Sequence, residues 1–218
     1  MRILDLFCGA GGASMGYHRA WPEADIVGVD ISPQPDYPFT FVQGDALNPP
    51  VRLDGFDFIH ASPPCQAYSV STPDKSLHPN LLGPTRALLE GRRYVIENVV
   101  GSPIAAQIML CGSMFGLQVQ RHRYFEFWPD APLLLTQACN HKAWPNPENR
   151  PYQVAGNPQG NMPWHARRGN LTHRFKYRDT EHGRELMGLP WVTDNRGITE
   201  AIPPAYTEWI GEQLREQL

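Results

Sequence analysis

Residues 2–12 read Arg2-Ile3-Leu4-Asp5-Leu6-Phe7-Cys8-Gly9-Ala10-Gly11-Gly12, a short apolar run that stops at a cluster of glycines. A run of this length, bounded by a turn, is the pattern of a strand buried on both faces. The glycines lack a Cβ, so the backbone after the strand turns sharply and approaches a ligand closely. A helical pattern from Ala13 to Ala20, closed by Trp21-Pro22, completes a strand–turn–helix unit. The glycine spacing is not that of a phosphate-cradling P-loop.

The same alternation continues outward. Ile26 to Val29 reads as a second strand ending at Asp30, and Phe39 to Val42 as a third ending at Gly44-Asp45. Phe56 to His60 reads as a fourth, followed by Ser62-Pro63-Pro64-Cys65. A helix over Leu81 to Leu89 then leads to a strand from Tyr94 to Ile96, ending at Glu97-Asn98. Tyr124 to Trp128 is one more strand, and Pro203 to Leu218 a terminal amphipathic helix with proline at its start. Strands alternating with crossovers predict an α/β fold with a parallel sheet. Every polar cluster falls just after a strand, at the edge where open sheets bind ligands. The periodicity weakens between 129 and 179, where Pro, Asn and Gly are frequent. Three segments follow: a sheet-forming part (1–128), a small loop-rich insertion (129–179) and a return to the sheet (180–218).

The chain has 218 residues, with room for one substantial core and a small insertion. No apolar run is long enough to span a bilayer, and no basic-then-apolar leader opens the chain. The four cysteines form no CxxC pair, so reduced thiols and a cytoplasmic location are expected. The net charge of −3 argues against nucleic acid, but its distribution argues back. From Lys142 to Arg178 there are seven basic residues against one acid, Glu148. Trp144, Tyr152, Trp164, Phe175 and Tyr177 are interleaved with them. Phosphate contact and base stacking use such a segment, although a solvated loop balancing an acidic neighbour has the same composition.

Asp30 and Asp45, each after a strand, suit hydrogen bonds from a ribose-containing cofactor with few or no phosphates. In Ser62-Pro63-Pro64-Cys65-Gln66 two prolines fix the backbone ahead of a cysteine, and a thiolate there is a nucleophile. Glu97 brings a carboxyl group to the same edge, where desolvation raises its pKa until it donates a proton near neutrality. Arg121-His122-Arg123 adds fixed cations. Cys8, Cys111 and Cys139 read as inert buried thiols. Cys139-Asn140-His141 with His165 or His173 matches no standard zinc spacing, so no metal is expected.

In this order the pieces resemble the DNA (cytosine-5) methyltransferase family. DLFCGAGG resembles its cofactor motif, SPPCQ its catalytic loop, IENV its glutamate motif and QRHRYF its arginine motif. Arg184-Glu185-Leu186-Met187-Gly188-Leu189-Pro190 and Ala201-Ile202-Pro203-Pro204 resemble its two late motifs. The resemblance implies a Rossmann-like, S-adenosylmethionine-dependent sheet with a small target recognition insertion, acting on double-stranded DNA. The oligomeric state stays open, with a monomer the favoured expectation. By resemblance, Cys65 attacks C6 of a flipped cytosine and Glu97 holds N3 and the exocyclic amine. Arg123 contacts the base carbonyl, and Arg121 anchors a phosphate or the loop. Phe7, Gly9, Ala10, Gly11, Asp30, Ile31, Asp45, Ala46 and Pro63 would surround S-adenosylmethionine. Val119 stands where the arginine motif usually has glutamine, and Thr199-Glu200 where the last motif usually has Gly-Asn. The insertion is short for the family, which implies a short or relaxed target sequence. The same chemistry on RNA, single-stranded or partner-presented DNA, and a silent DNA-binding homologue, stay open.

Overall fold

In the computed structural model, which describes residues 1–69, 72–130, 136–141, 151–158 and 175–215, the apolar run after Met1 forms β1 (Arg2–Leu6). Parallel to it on one side lie β2 (Asp25–Asp30) and then β3 (Thr40–Gln43). On the other side lie β4 (Phe58–Ala61) and β5 (Tyr94–Val99), also parallel. Two further strands, β6 (Ile108–Leu110) and β7 (Arg123–Trp128), complete a seven-stranded sheet of order β3-β2-β1-β4-β5-β7-β6.

Side chains alternate between the two faces of a strand, and β1 shows the consequence. Ile3 joins a core shared with α1 (Gly12–Ala20) and α5 (Pro204–Leu214). Leu4 and Leu6 join the opposite core with Ile59, Ile96 and Leu89 of α2 (Leu82–Leu89). Burying each such side chain contributes roughly 1.5–3 kcal/mol relative to leaving it in water. The two helices α1 and α5 meet closely at Gly16, where a Cβ would lie 2.2 Å from the Pro204 carbonyl oxygen. Thr207 Oγ1 donates to the Ala13 carbonyl across the same contact, at 2.8 Å.

The sheet is mixed rather than wholly parallel. Beyond β5 the chain runs out to the edge strand β6 and returns as β7, antiparallel to both neighbours. Hydrophobic period reports which strands are buried but not which way they pair, so the sequence pattern left this reversal invisible. The pairing also extends β5 through Glu97, Asn98 and Val99, opposite Phe125, Tyr124 and Arg123. Glu97 therefore sits within a strand, not in the loop after one.

Two short helices, α3 (Thr180–Met187) and α4 (Asn195–Glu200), bring the chain back to the sheet. Against them pack Val119, Val154 and Tyr177, in a third core with Leu186, Met187, Leu189, Val192 and Ile198. A two-residue parallel pair, β8 (Tyr152–Gln153) with β9 (Phe175–Lys176), leads into this core. Tyr177 is fully buried, and Tyr152 lies edge-on to His182. Neither ring is the free stacking platform that the basic, aromatic window suggested. Most of that window, including Lys142, Trp144, Arg150, Trp164, Arg167, Arg168 and Arg174, lies outside the described residues, as do His165 and His173. Among the described residues no helix is long and apolar enough to cross a membrane.

Candidate active site

The carboxyl ends of β1, β2, β4 and β5 surround a cavity of about 270 Å³. β1 delivers the chain to Phe7, whose φ of 60° is left-handed and unusual for a residue with a side chain. Gly9 N then donates to Asp30 Oδ2 at 3.1 Å, and Ser32 N donates to Asp30 Oδ1 at 2.9 Å. Both oxygens keep a second lone pair, and Asp30 faces the cavity. Beside it Ile31, 69% exposed, offers an apolar surface at the rim. Deeper in, Asp5 is enclosed, with Ser14 Oγ donating to its Oδ2 at 2.6 Å while its Oδ1 has no partner. Burial pushes the Asp5 carboxyl up to about 7, Ser14 working against the shift and the Asp30 charge with it.

The loop after β4 is held from both sides. Ser62 N donates to the Leu6 carbonyl at 3.1 Å, and Asn98 Nδ2 donates to the Pro63 carbonyl at 2.9 Å. The amides of Tyr68 and Ser69 both close on the Cys65 carbonyl at 2.9 Å, forming a turn that presents the Cys65 thiol to the cavity. Burial raises that thiol above its ordinary value; Arg123 and Arg121 pull it down and Glu97 pushes it up.

Glu97 enters from β5 and is almost fully enclosed. Arg123 Nε stands 2.8 Å from its Oε1 as an ion pair without hydrogen-bond alignment, which leaves Oε1 able to accept from another donor. Burial raises the Glu97 carboxyl, against the opposing pull of Arg123, Arg121 and a hydrogen bond from Ser62. That serine is itself supported: His60 Nε2 lies 2.9 Å from Ser62 Oγ, and His60 Nδ1 lies 2.9 Å from Tyr17 Oη. Burial drops His60 to about 3, so the ring is neutral. With Ser62 donating to Glu97, His60 donates from Nε2 and accepts from Tyr17 at Nδ1.

Of the expected site residues, the cavity gathers Phe7, Gly9, Asp30, Ile31, Pro63, Cys65, Glu97, Arg121 and Arg123. Four others lie elsewhere. Ala10 is buried, and its carbonyl accepts from Trp191 Nε1 at 2.9 Å. Gly11 caps α1 at φ 80°, and a Cβ there would stand 2.6 Å from Pro38 Cδ, so packing explains the glycine. Asp45 is exposed and accepts from Leu47 N at 2.9 Å, closing a turn, while Ala46 is core. Arg121 lines the cavity but commits its guanidinium to structure. Nη1 donates to the Val154 carbonyl at 2.9 Å and Nη2 to the Thr199 carbonyl at 2.7 Å. Arg121, expected as an anchor at the site, ties its own segment to two others through these bonds.

Sequence reading missed His60 and Tyr17 as supports, since each looks like a core residue from its neighbours. It also missed the rim contributed by α4, where Arg196 Nε donates to both oxygens of Glu200 at 3.1 Å. The acid at position 200 is thereby paired. A second polar cluster, Cys111, His122, Cys139 and His141, lies outside this lining.

Sheet order, helices and cavity position define the Rossmann-like fold of S-adenosylmethionine-dependent methyltransferases. Among solved structures, the chain is similar to a mutant of DNMT2 from Spodoptera frugiperda, with TM-score 0.61, 14% identity, and coverage of 98% of this chain and 99% of that one. It is likewise similar to the Entamoeba histolytica methyltransferase EhMeth, with TM-score 0.60, 12% identity, and coverage of 100% and 99%. No family model matches the chain, and no curated protein matches its sequence.

Proposed function

We propose that this chain methylates C5 of cytosine in double-stranded DNA through a covalent bond between Cys65 and C6. One observation carries the reading: a single cavity presents a nucleophile (Cys65), an enclosed carboxyl group (Glu97) and a guanidinium (Arg123) beside Phe7, Gly9, Asp30 and Ile31. The latter four fit S-adenosylmethionine. Asp30 has lone pairs for ribose hydroxyls, Ile31 an open apolar face for adenine, and Asp5 a buried oxygen without a partner. When bound, the cofactor supplies an electrophilic methyl group.

The remaining chemistry belongs to the chain. A cytosine must leave the helix to reach an enclosed thiol. Glu97, with a raised pKa, holds a proton for N3 and accepts from the exocyclic amine. Protonation of Glu97 also removes a negative charge that opposes ionisation of Cys65, leaving Arg123 to favour the thiolate against burial. Cys65 then bonds to C6 as N3 gains hydrogen-bond support from Glu97, and C5 becomes nucleophilic. After methylation the C5 proton passes to solvent, β-elimination expels Cys65 as the thiolate, and the N3 proton returns to Glu97.

The basic 142–178 window supports DNA as substrate, and its brevity supports a short target and strongly salt-dependent binding. Transfer of labelled methyl groups should occur on duplex DNA and exceed that on single strands and tRNA. Duplex DNA carrying 5-fluorocytosine should trap a covalent adduct with the native chain and none with Cys65→Ser. Transfer confined to RNA overturns the substrate, and absence of an adduct with the native chain overturns the mechanism.

A further inference from the structure

We propose that Cys111, His122, Cys139 and His141 bind one structural zinc ion, which clamps the chain beyond β7 onto the segment carrying Arg121 and Arg123. The four residues come from three places. Cys111 follows β6, His122 lies between the two arginines ahead of β7, and Cys139 and His141 follow the end of β7. Their ligand atoms all lie within 4.8 Å of one another. Cys111 Sγ is 3.2 Å from His141 Nε2, Cys139 Sγ is 3.7 Å from His122 Nε2, and the two Nε2 atoms are 3.3 Å apart.

These three separations are close to edges of a zinc tetrahedron. Bonds of about 2.3 Å to sulfur and about 2.05 Å to nitrogen require S···N edges of roughly 3.6 Å and an N···N edge of roughly 3.3 Å. Hydrogen bonding alone serves the cluster poorly. Each Nε2 has a single in-plane direction, either a lone pair or an N–H, yet each faces both the other ring and a sulfur. A cation at the centre gives every ligand atom one bond along that direction. Two thiolates neutralise the dication, and binding releases the two thiol protons to solvent. Four protein ligands leave no position for water, the mark of a structural site rather than a catalytic one.

Supporting contacts are already present. Ser113 Oγ donates to Cys111 Sγ at 3.5 Å and accepts from Asn140 N at 3.1 Å, joining two of the ligand segments. Wide gaps separate Cys111, His122 and the Cys139–His141 pair, so no standard zinc spacing appears in the sequence. The expectation of inert thiols at Cys111 and Cys139 with no metal gives way to this cluster. The proposal stands apart from the methyltransferase reading and is tested without activity.

The full chain, purified from zinc-supplemented culture, should carry about one zinc per chain by mass spectrometry of the metal. Cys139→Ala and His141→Ala should each lose it, whereas Cys8→Ser should retain it. To separate metal loss from misfolding of a ligand variant, native protein stripped by chelator is titrated with cobalt(II). The intense visible bands of a tetrahedral thiolate site should saturate near one equivalent and vanish on adding zinc. Metal-free native protein that gives no tetrahedral cobalt spectrum overturns the proposal, as does a Cys111–Cys139 disulfide in protein prepared without reductant.

Discussion

Arg123 Nε stands 2.8 Å from Glu97 Oε1, and the register of β5 on β7 brings the two together. Arg123 lies opposite Val99, two residues along the same strand face from Glu97, which makes the pair diagonal neighbours. The relationship bears on Cys65, whose ionisation Arg123 favours and Glu97 opposes. In the free protein, alkylation of Cys65 by iodoacetamide should therefore titrate above the ordinary thiol value. Glu97→Gln should lower that midpoint and Arg123→Ala should raise it, each by about one pH unit. Peptide mass mapping across pH reads the site directly, and identical midpoints in all three proteins would refute the coupling.

The two arginines should separate into a stability role and a chemical one. Arg121→Ala leaves the Val154 and Thr199 carbonyls without their donor and cuts the tie between three segments. It should cost about 3 kcal/mol in urea denaturation. Arg123→Ala should cost less than half as much while abolishing the 5-fluorocytosine adduct. The reverse ranking in stability would show that the anchor has been misassigned.

Asp5 should make the unliganded fold weaker as pH rises. Its folded value of about 7 lies above the ordinary 3.8, so burial favours the neutral form. The stability it contributes is full below the unfolded pKa and is lost as pH climbs through about 7. His60 acts in the opposite sense, its contribution being present above 6.5 and lost as pH falls toward about 3. Comparing Asp5→Asn with the native chain at each pH cancels the histidine. The variant should gain on the native chain between pH 4 and 8, by up to about 4 kcal/mol. A pH-independent difference in denaturation would be inconsistent with a buried, raised Asp5.

Arg86 on α2 grips Glu126 on β7 through two contacts, Nε to Oε1 at 2.7 Å and Nη2 to Oε2 at 2.6 Å. The carboxylate is almost enclosed and also accepts from Ala105 N at 2.9 Å. Arg86→Met should destabilise by about 2 kcal/mol, below the full cost of breaking a buried pair because the guanidinium is partly solvated. Arg86→Met with Glu126→Leu should recover part of that loss. Equal destabilisation of the single and double variants would argue that packing, not charge, is at stake.

What could be read from the residues in order was local. The apolar run ending at Gly9, the prolines ahead of Cys65 and the amphipathic pattern after Pro203 each describe a short stretch, and each lies where its chemistry requires. Even some overlooked elements carried a local signal. Helix α3 has Asp179 accepting from His182 N at its start and Gly188 in left-handed conformation at its end, both ordinary cap residues. Strand β6, only three residues long, offered too short a period to recognise.

The sequence by itself determined the α/β class, the glycine turn and the choice of candidate reactive side chains, because burial period, turn chemistry and nucleophilicity are properties of adjacent residues. Tertiary structure decided the rest. The antiparallel return of β7 sets Arg123 beside Glu97, and His60 and Tyr17 become supports only when α1 packs on β4. Asp45 and Gly11 are engaged locally rather than at the cavity. Cys111, His122, Cys139 and His141 converge from three segments on one point. Such relationships depend on pairing direction and packing between residues far apart in the chain, and these follow from the energy of the whole fold, not from any one stretch of it.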